Sequence, residues 1–256
     1  MKTAVISGGN GGLGRALAHQ LEAAGWHCVL MDINIAGLRA SDTRTPVAVD
    51  LTKGADLADA ASRIIAARPS IDLVIYNAGV SQIGPFAQSD AASHRRVFEI
   101  NYFAAIEMAR AFLMPIRESG GIHLAISSVA GFAPLHNRTA YAASKHAMQG
   151  FFASLRSEEA PFGVRCLIAA PSFVATNPGN PERTDDGIVR PGSAADGLDH
   201  LTAEAAANII LHGVEKSYEF IPVGRVSRLA SLMMRASPRL YQFAMRRKIH
   251  GGTADG

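Results

Sequence analysis

The sequence predicts a single α/β domain, a doubly wound parallel sheet of about seven strands with helices on both faces. Three observations predict it. Apolar β-rich runs alternate with helix-periodic runs along most of the chain, the pattern of strand–helix–strand crossovers. Some of the strand runs, "IDLVIY" above all, are almost continuously apolar, as strands covered on both faces are. Five glycines between Gly8 and Gly14, in "SGGNGGLGR", separate the first strand from the first helix. Glycine costs about 0.5–1 kcal/mol against alanine in a regular element, so the run marks a special turn or a close approach to the backbone.

Taken in order, Thr3–Ser7 reads as the first strand, and helical spacing from Leu13 stops at Gly25. "HCVLMD" is the second strand, followed by a short helical piece and by "TPVAVDL" as the third. "GADLADAASRIIAARPS" is a helix ended by Pro69, and "IDLVIYNAG" is the fourth strand. A long helical segment covers about 89–115. "GIHLAISSVAG" gives the fifth strand, "TAYAASKHAMQGFFASLRSEEA" a helix, and "VRCLIAAP" the sixth strand. A loop rich in proline, glycine and aspartate fills about 172–199. A helix over about 202–212 and the strand "SYEFIPV" complete the fold, so residues 1–223 form the domain.

The 256 residues are 48% hydrophobic and 18% charged, ample for one large core. A net charge of +3 gives no sign of a nucleic-acid binder. Cys28 and Cys166 lie far apart in apolar runs and make neither a disulfide framework nor a metal spacing, so no metal is expected. No apolar run approaches the ~18 residues of a membrane span, and no signal-peptide core is visible. The chain reads as cytoplasmic.

A glycine-rich turn between strand and helix suits a pyrophosphate, because the first helical N–H groups are unpaired and the dipole is positive there. The spacing is ambiguous. Gly9, Gly11 and Gly14 fit one dinucleotide pattern; Gly8, Gly11 and Gly14 fit another; Gly8, Gly12 and Gly14 fit a third. Asp32 closes the second strand, where a carboxylate accepts hydrogen bonds from a ribose 2′-OH and repels a 2′-phosphate. No Lys or Arg precedes Arg15 in the turn or follows Asp32 directly, so NAD(H) is preferred and NADP(H) is the alternative.

"YAASK" sets Tyr141 and Lys145 four apart on one helical face, and Ser128 of "AISSVAG" stands thirteen residues upstream at a strand end. "YNAG" (Tyr76–Gly79) follows the fourth strand, and Asn101 lies within the long helix. In this order the set resembles the compact, roughly 250-residue branch of the short-chain dehydrogenase/reductase family, over about residues 3–223. The resemblance selects the third glycine spacing and implies a Rossmann-type fold. It also implies hydride transfer between a nicotinamide cofactor and a secondary alcohol or ketone.

The resemblance further implies catalytic roles for four residues. Tyr141 is the acid/base, Lys145 lowers its pKa and holds the nicotinamide ribose, Ser128 positions the substrate oxygen, and Asn101 anchors a proton-relay water. Ser127 is set aside, because adjacent strand residues point to opposite faces. The implied cofactor-binding set is Gly8, Asn10, Gly12, Leu13, Gly14, Asp32, Asp50, Leu51, Asn77, Ala78, Gly79, Tyr141, Lys145, Pro171, Val174 and Thr176. Ser172 departs from the glycine that commonly follows the sixth-strand proline, and the stretch from Asp32 to Asp50 is short for the family. The loop after the sixth strand is expected to set specificity and close over the cleft, with Phe132, Pro134 and Leu135 as an apolar wall for a lipophilic substrate. A homodimer or homotetramer through helices near 90–115 and 139–160 is also implied.

Residues 224–256 read as a basic amphipathic extension beyond the fold, split by Pro238. Arg225, Arg228, Arg235, Arg239 and Arg246 share one helical face, and no acid occurs between Glu219 and Asp255. Two readings follow: peripheral contact with an anionic membrane, or packing on the subunit with the arginines toward solvent. An alternative for the whole chain is a non-catalytic NAD(H)-binding sensor whose tail contacts a membrane or a partner. A longer sugar-nucleotide epimerase is disfavoured by the chain length and the glycine spacing.

Overall fold

In the computed structural model, the described residues are 1–68, 70–176, 187–189 and 200–251, without the side chains of Ala244 and of residues 246–251. The sheet strands are β1 (Thr3–Ser7), β2 (His27–Asp32), β3 (Arg44–Ala48), β4 (Leu73–Tyr76), β5 (Ile122–Ile126), β6 (Arg165–Pro171) and β7 (Phe220–Val223). They pair in parallel in the order β7–β6–β5–β4–β1–β2–β3. The order reverses between β1 and β4, whose carboxyl ends open the crevice typical of such sheets. Pro46 and Pro222 fall only on the two edge strands, where the missing N–H breaks no internal ladder.

Helices cover both faces. One face buries Leu17 and Leu21 of α1 (Gly12–Ala23) and Ile210 and Val214 of α7 (Ala203–Glu215). The other buries Leu57 and Ile64 of α2 (Gly54–Ala67), Met108 of α4 (Ala104–Ala111) and Phe152 of α6 (Thr139–Glu159). Each fully buried side chain of this size contributes roughly 1.5–3 kcal/mol. Thr202 caps α7 by accepting from the Ala205 N–H at 3.1 Å.

Three expectations change. The piece between β2 and β3 is not helical. Asp32 Oδ1 accepts from the Asn34 N–H at 3.1 Å, Asn34 Oδ1 accepts from the Ala36 N–H at 2.9 Å, and Gly37 takes φ 78°; these local turns outcompete a helix. The long helical segment is broken into α3 (Ala91–Phe98), a π turn (Glu99–Phe103), α4 and α5 (Leu113–Ser119). Pro115 does not end it, because it sits in the first turn of α5, where no intrahelical N–H is needed; Gly120, at φ 58°, ends it instead. The proposed stop of α2 at Pro69 lies outside the described residues, as do 177–186 and 190–199 of the loop after β6.

The tail forms α8 (Arg225–Ala236) and α9 (Pro238–Gly251), and its inner face is packed on the subunit. Ser227, fully buried, donates to the Ala170 carbonyl at 2.6 Å, and Ala230 and Tyr241 pack against Val129 and Ala133. Two short pairings flank the sheet, Ser81–Gln82 with Ile188–Val189 and Phe173–Ala175 with His200–Thr202. No helix among the described residues is long and apolar enough to cross a membrane.

Candidate active site

The glycine turn leads from β1 into α1 and passes under β4. Gly8 takes φ 62°, and a Cβ there would stand 2.9 Å from Ala78 Cα. A Cβ on Gly12 would meet the Thr176 carbonyl oxygen at 2.5 Å, and one on Gly14 would overlap the Gly8 carbonyl. Gly11 meets its nearest atom at a looser 3.3 Å and serves as the N-cap of α1. Gly8, Gly12 and Gly14 are thus fixed by the backbone around them; Gly9 is fixed as well, by Leu30 Cβ at 2.7 Å. The first turn of α1 carries no acidic side chain, so its positive end faces the cleft uncompensated.

Asn77 Nδ2 donates to the carbonyls of Ser7 and Gly8 at 3.1 and 3.0 Å, stitching the end of β4 to the glycine turn. Ser7 Oγ completes the stitch by accepting from the N–H groups of Asn77 and Ala78. The sequence reading missed Ser7, whose role comes only from the β1–β4 pairing. Asp32 Oδ2 accepts from the Asn10 N–H at 2.9 Å, so the carboxylate at the end of β2 also braces the turn. Arg15 reaches back to the Asn10 carbonyl at 3.1 Å and to Asn10 Oδ1, beside the loop that follows Asp32. Asp50 accepts from Thr52 Oγ1 at 2.7 Å and from its N–H, which holds its carboxyl below the usual range.

At the other end, Ser128 caps a short 3-10 turn (Val129–Gly131) and accepts from the Ala130 N–H at 3.1 Å. Its hydroxyl and the Tyr141 phenol line the same cleft, and Ser128 favours the phenolate. Ser127 faces α6, where Gln149 donates to it at 2.9 Å. Lys145, 3% exposed, donates to the Ile126 carbonyl at 2.8 Å, and burial brings its ammonium down to about 8. Its Nζ is 6.0 Å from the Tyr141 ring centre.

Burial pushes the Tyr141 pKa up, while Ser128 and the nearby Arg138 charge pull in the opposite direction.

Asn101 is fully buried in the π turn. Its Oδ1 accepts from the Val80 N–H at 2.8 Å, and its Nδ2 donates to the Val80 carbonyl and to Ser144 Oγ, both at 2.9 Å. Its side chain clamps the strand-end turn, leaving one Oδ1 lone pair for anything else. Gly79 lies beneath this pair; a Cβ there would come 3.2 Å from Asn101 Oδ1 and 3.5 Å from Lys145 Nζ.

One cleft of about 1000 Å³ runs past all these groups. Gly8, Asn10, Gly12, Leu13, Asp32, Asp50, Leu51, Asn77, Ala78, Gly79, Ser128, Tyr141, Lys145, Pro171, Val174 and Thr176 line it; Gly14 and Asn101 stand behind its wall. Leu135 lines it too, whereas Phe132 packs into the cluster beneath α8 and Pro134 is exposed. The sequence reading did not include Arg138, Val226, Tyr241 or Met245, which also line the cleft. The last three belong to the inward stripe of α8 and α9, legible as helical spacing once the tail is known to pack.

Residues 2–187 match the sequence family described as short chain dehydrogenase. The chain belongs to the short-chain dehydrogenases. This short-chain dehydrogenase is 32% identical over 256 residues to dehydrogenase/reductase SDR family member 7B of Xenopus laevis, covering 93% of this chain and 78% of that one. Among solved structures, a Burkholderia cenocepacia short chain dehydrogenase in complex with NADP superposes with a TM-score of 0.83 at 23% identity, over 95% of this chain and 96% of that one. A short chain dehydrogenase/reductase from Burkholderia phymatum in complex with NAD gives 0.71 at 23%, over 86% and 88%. At these identities the likeness is one of fold.

Proposed function

We propose that this short-chain dehydrogenase interconverts a secondary alcohol and its ketone with NAD(H). The observation that carries the reading is that Ser128, Tyr141 and Lys145, whose Nζ is 6.0 Å from the Tyr141 ring centre, line the same cleft as a glycine turn that a Cβ would fill. The nicotinamide, when bound, accepts or supplies the hydride.

Tyr141 gives its proton to the oxygen of a ketone as it becomes an alkoxide, or takes the proton of an alcohol. Its raised pKa keeps the phenol protonated at rest, ready to act as the acid. Ser128 donates a hydrogen bond to the same oxygen, and Lys145 stabilises the phenolate that reduction leaves behind. Asn101 holds the Val80 backbone and thereby the floor of the site. Gly8, Gly12 and Gly14, with Asn10 and Leu13, would receive the pyrophosphate at the start of α1. Asp32 would accept from the adenosine ribose, and Asp50 and Leu51 would border the adenine. Asn77, Ala78, Pro171, Val174 and Thr176 would flank the rest of the dinucleotide.

NAD(H) is favoured by Asp32, whose negative charge opposes a 2′-phosphate. The two solved relatives hold one cofactor each, NADP and NAD. The test is Tyr141→Phe. Turnover in an alcohol and ketone screen should fall by roughly a hundred- to ten-thousand-fold, with NADH affinity within about twofold of the parent. Full activity in the variant overturns the role. A sensor reading leaves Ser128, Tyr141 and Lys145 together in the cleft without a use, and turnover by the parent chain excludes it.

The outer face of α8 and α9 supports a second partner, an anionic membrane surface. Leu229, Leu232, Leu240 and Phe243 are each more than half exposed there, beside Arg225, Arg228, Arg235 and Arg239. A second copy of the chain would bring its own arginines against these, so like charge opposes self-association through this face.

A further inference from the structure

We propose that the inner face of α8 and α9 is the wall that holds the hydrocarbon body of the substrate, with Met245 setting the length it accepts. The proposal rests on the oxidoreductase reading above and adds the substrate class. The sequence assigned specificity to the loop after β6; the geometry points to the tail as well.

The cleft that holds Ser128, Tyr141 and Lys145 is bounded on this side by Val226 of α8 and by Tyr241 and Met245 of α9. These side chains present no charge. Tyr241 is 7% exposed, and its hydroxyl points at the Pro134 carbonyl, 3.4 Å away, tying α9 to the loop that carries Leu135. Tyr241 and Met245 join a satellite cluster with Val129, Phe132, Met233 and Met234, separate from the cores on the two sheet faces. Val129 directly follows Ser128, so the apolar wall starts one residue from the hydroxyl that would meet the substrate oxygen. Methionine is unbranched and repacks readily, which suits a surface that must fit a flexible chain.

The wall is held in place by specific contacts. Gly224, buried at φ 94°, turns the chain out of β7, and the Ser227–Ala170 hydrogen bond pins α8 to β6. Tyr241 then fixes α9. A carbonyl at Tyr141 leaves an attached unbranched alkyl chain to lie against Val226, Tyr241 and Met245, which line the same cleft.

The test uses the full chain with methyl ketones from butanone to tridecanone, NADH as reductant, and the variants Met245→Trp and Met245→Ala. In the parent, kcat/KM should rise roughly fourfold for each methylene buried until the wall is filled. Met245→Trp should cut kcat/KM for the long ketones at least about tenfold, the loss of two buried methylenes at that constant. The loss for butanone should be several-fold smaller than that for the long ketones. Met245→Ala should move the optimum to longer chains, which a merely destabilised protein would not do. Equal effects on short and long ketones, or none, overturn the wall. If no ketone is turned over, the oxidoreductase reading fails, and the wall is then judged by binding alone. Tridecanone should raise the parent's Tm and leave that of Met245→Trp unmoved; equal shifts overturn it.

Discussion

Asp32 has both carboxylate oxygens committed, Oδ2 to the Asn10 N–H and Oδ1 to the Asn34 N–H. It therefore shapes the turn, and in the proposed reading it also opposes a 2′-phosphate. Asp32→Asn removes the charge and keeps one of the two acceptors, so it tests the charge at the loss of one turn hydrogen bond. The NADPH-to-NADH ratio of dissociation constants should move about tenfold toward NADPH, roughly 1.4 kcal/mol, measured by fluorescence titration; an unmoved ratio removes charge repulsion as the source of preference. The site residues legible in the sequence are those whose chemistry needs a particular side chain at a fixed spacing: Ser128, Tyr141, Lys145 and the glycines. Tyr241 and Met245 were not legible as cleft residues, because their place depends on a helix folding back over a strand end a hundred residues away. Pattern likewise shows which charge is near Tyr141 but not how much water is excluded around it.

At the level of elements, sequence periodicity found every strand of the central sheet and most of the helices. It failed where local side-chain chemistry overrode it, at the Asp32 and Asn34 turns. It also failed at the π turn, whose extra backbone residue leaves no periodic trace. In the tail the outward arginines were readable but the inward stripe was not, because Leu229, Leu232, Leu240 and Phe243, the apolar residues that stand out by spacing, lie exposed while Ala230 and Tyr241 pack inward. The outer face of α8 and α9 should bring the full chain down with anionic vesicles at low salt and release it as salt screens the arginines. Replacing Leu229, Leu232 and Leu240 with serine should abolish the pelleting. Parent chain that stays in the supernatant ends the membrane contact, and pelleting undiminished in the triple variant ends the assignment to this face.

For the molecule as a whole, the sheet centre holds a second polar pair, remote from the glycine turn. His123 of β5 is fully buried, and its Nδ1 lies 2.6 Å from the Tyr76 hydroxyl. Burial brings the imidazole down to about 4. The folded value lies below the ordinary 6.5, so between the two the unfolded chain takes a proton that the folded chain refuses. Stability is complete above the ordinary value and should fall by on the order of 3 kcal/mol as pH drops through this window. His123→Asn retains an acceptor for Tyr76 and does not titrate there, so its Tm should decline less between neutral pH and the acid limit. An identical decline in both proteins would assign the acid sensitivity elsewhere.

The edge prolines, finally, bear on how copies of this chain can meet. Pro46 on one border and Pro222 on the other have no amide proton to lend to a neighbour, so neither margin offers an unbroken ladder for a foreign strand to zip onto. A strand laid along either margin would lose a hydrogen bond at the ring, so the two prolines guard both edges against fibrous growth.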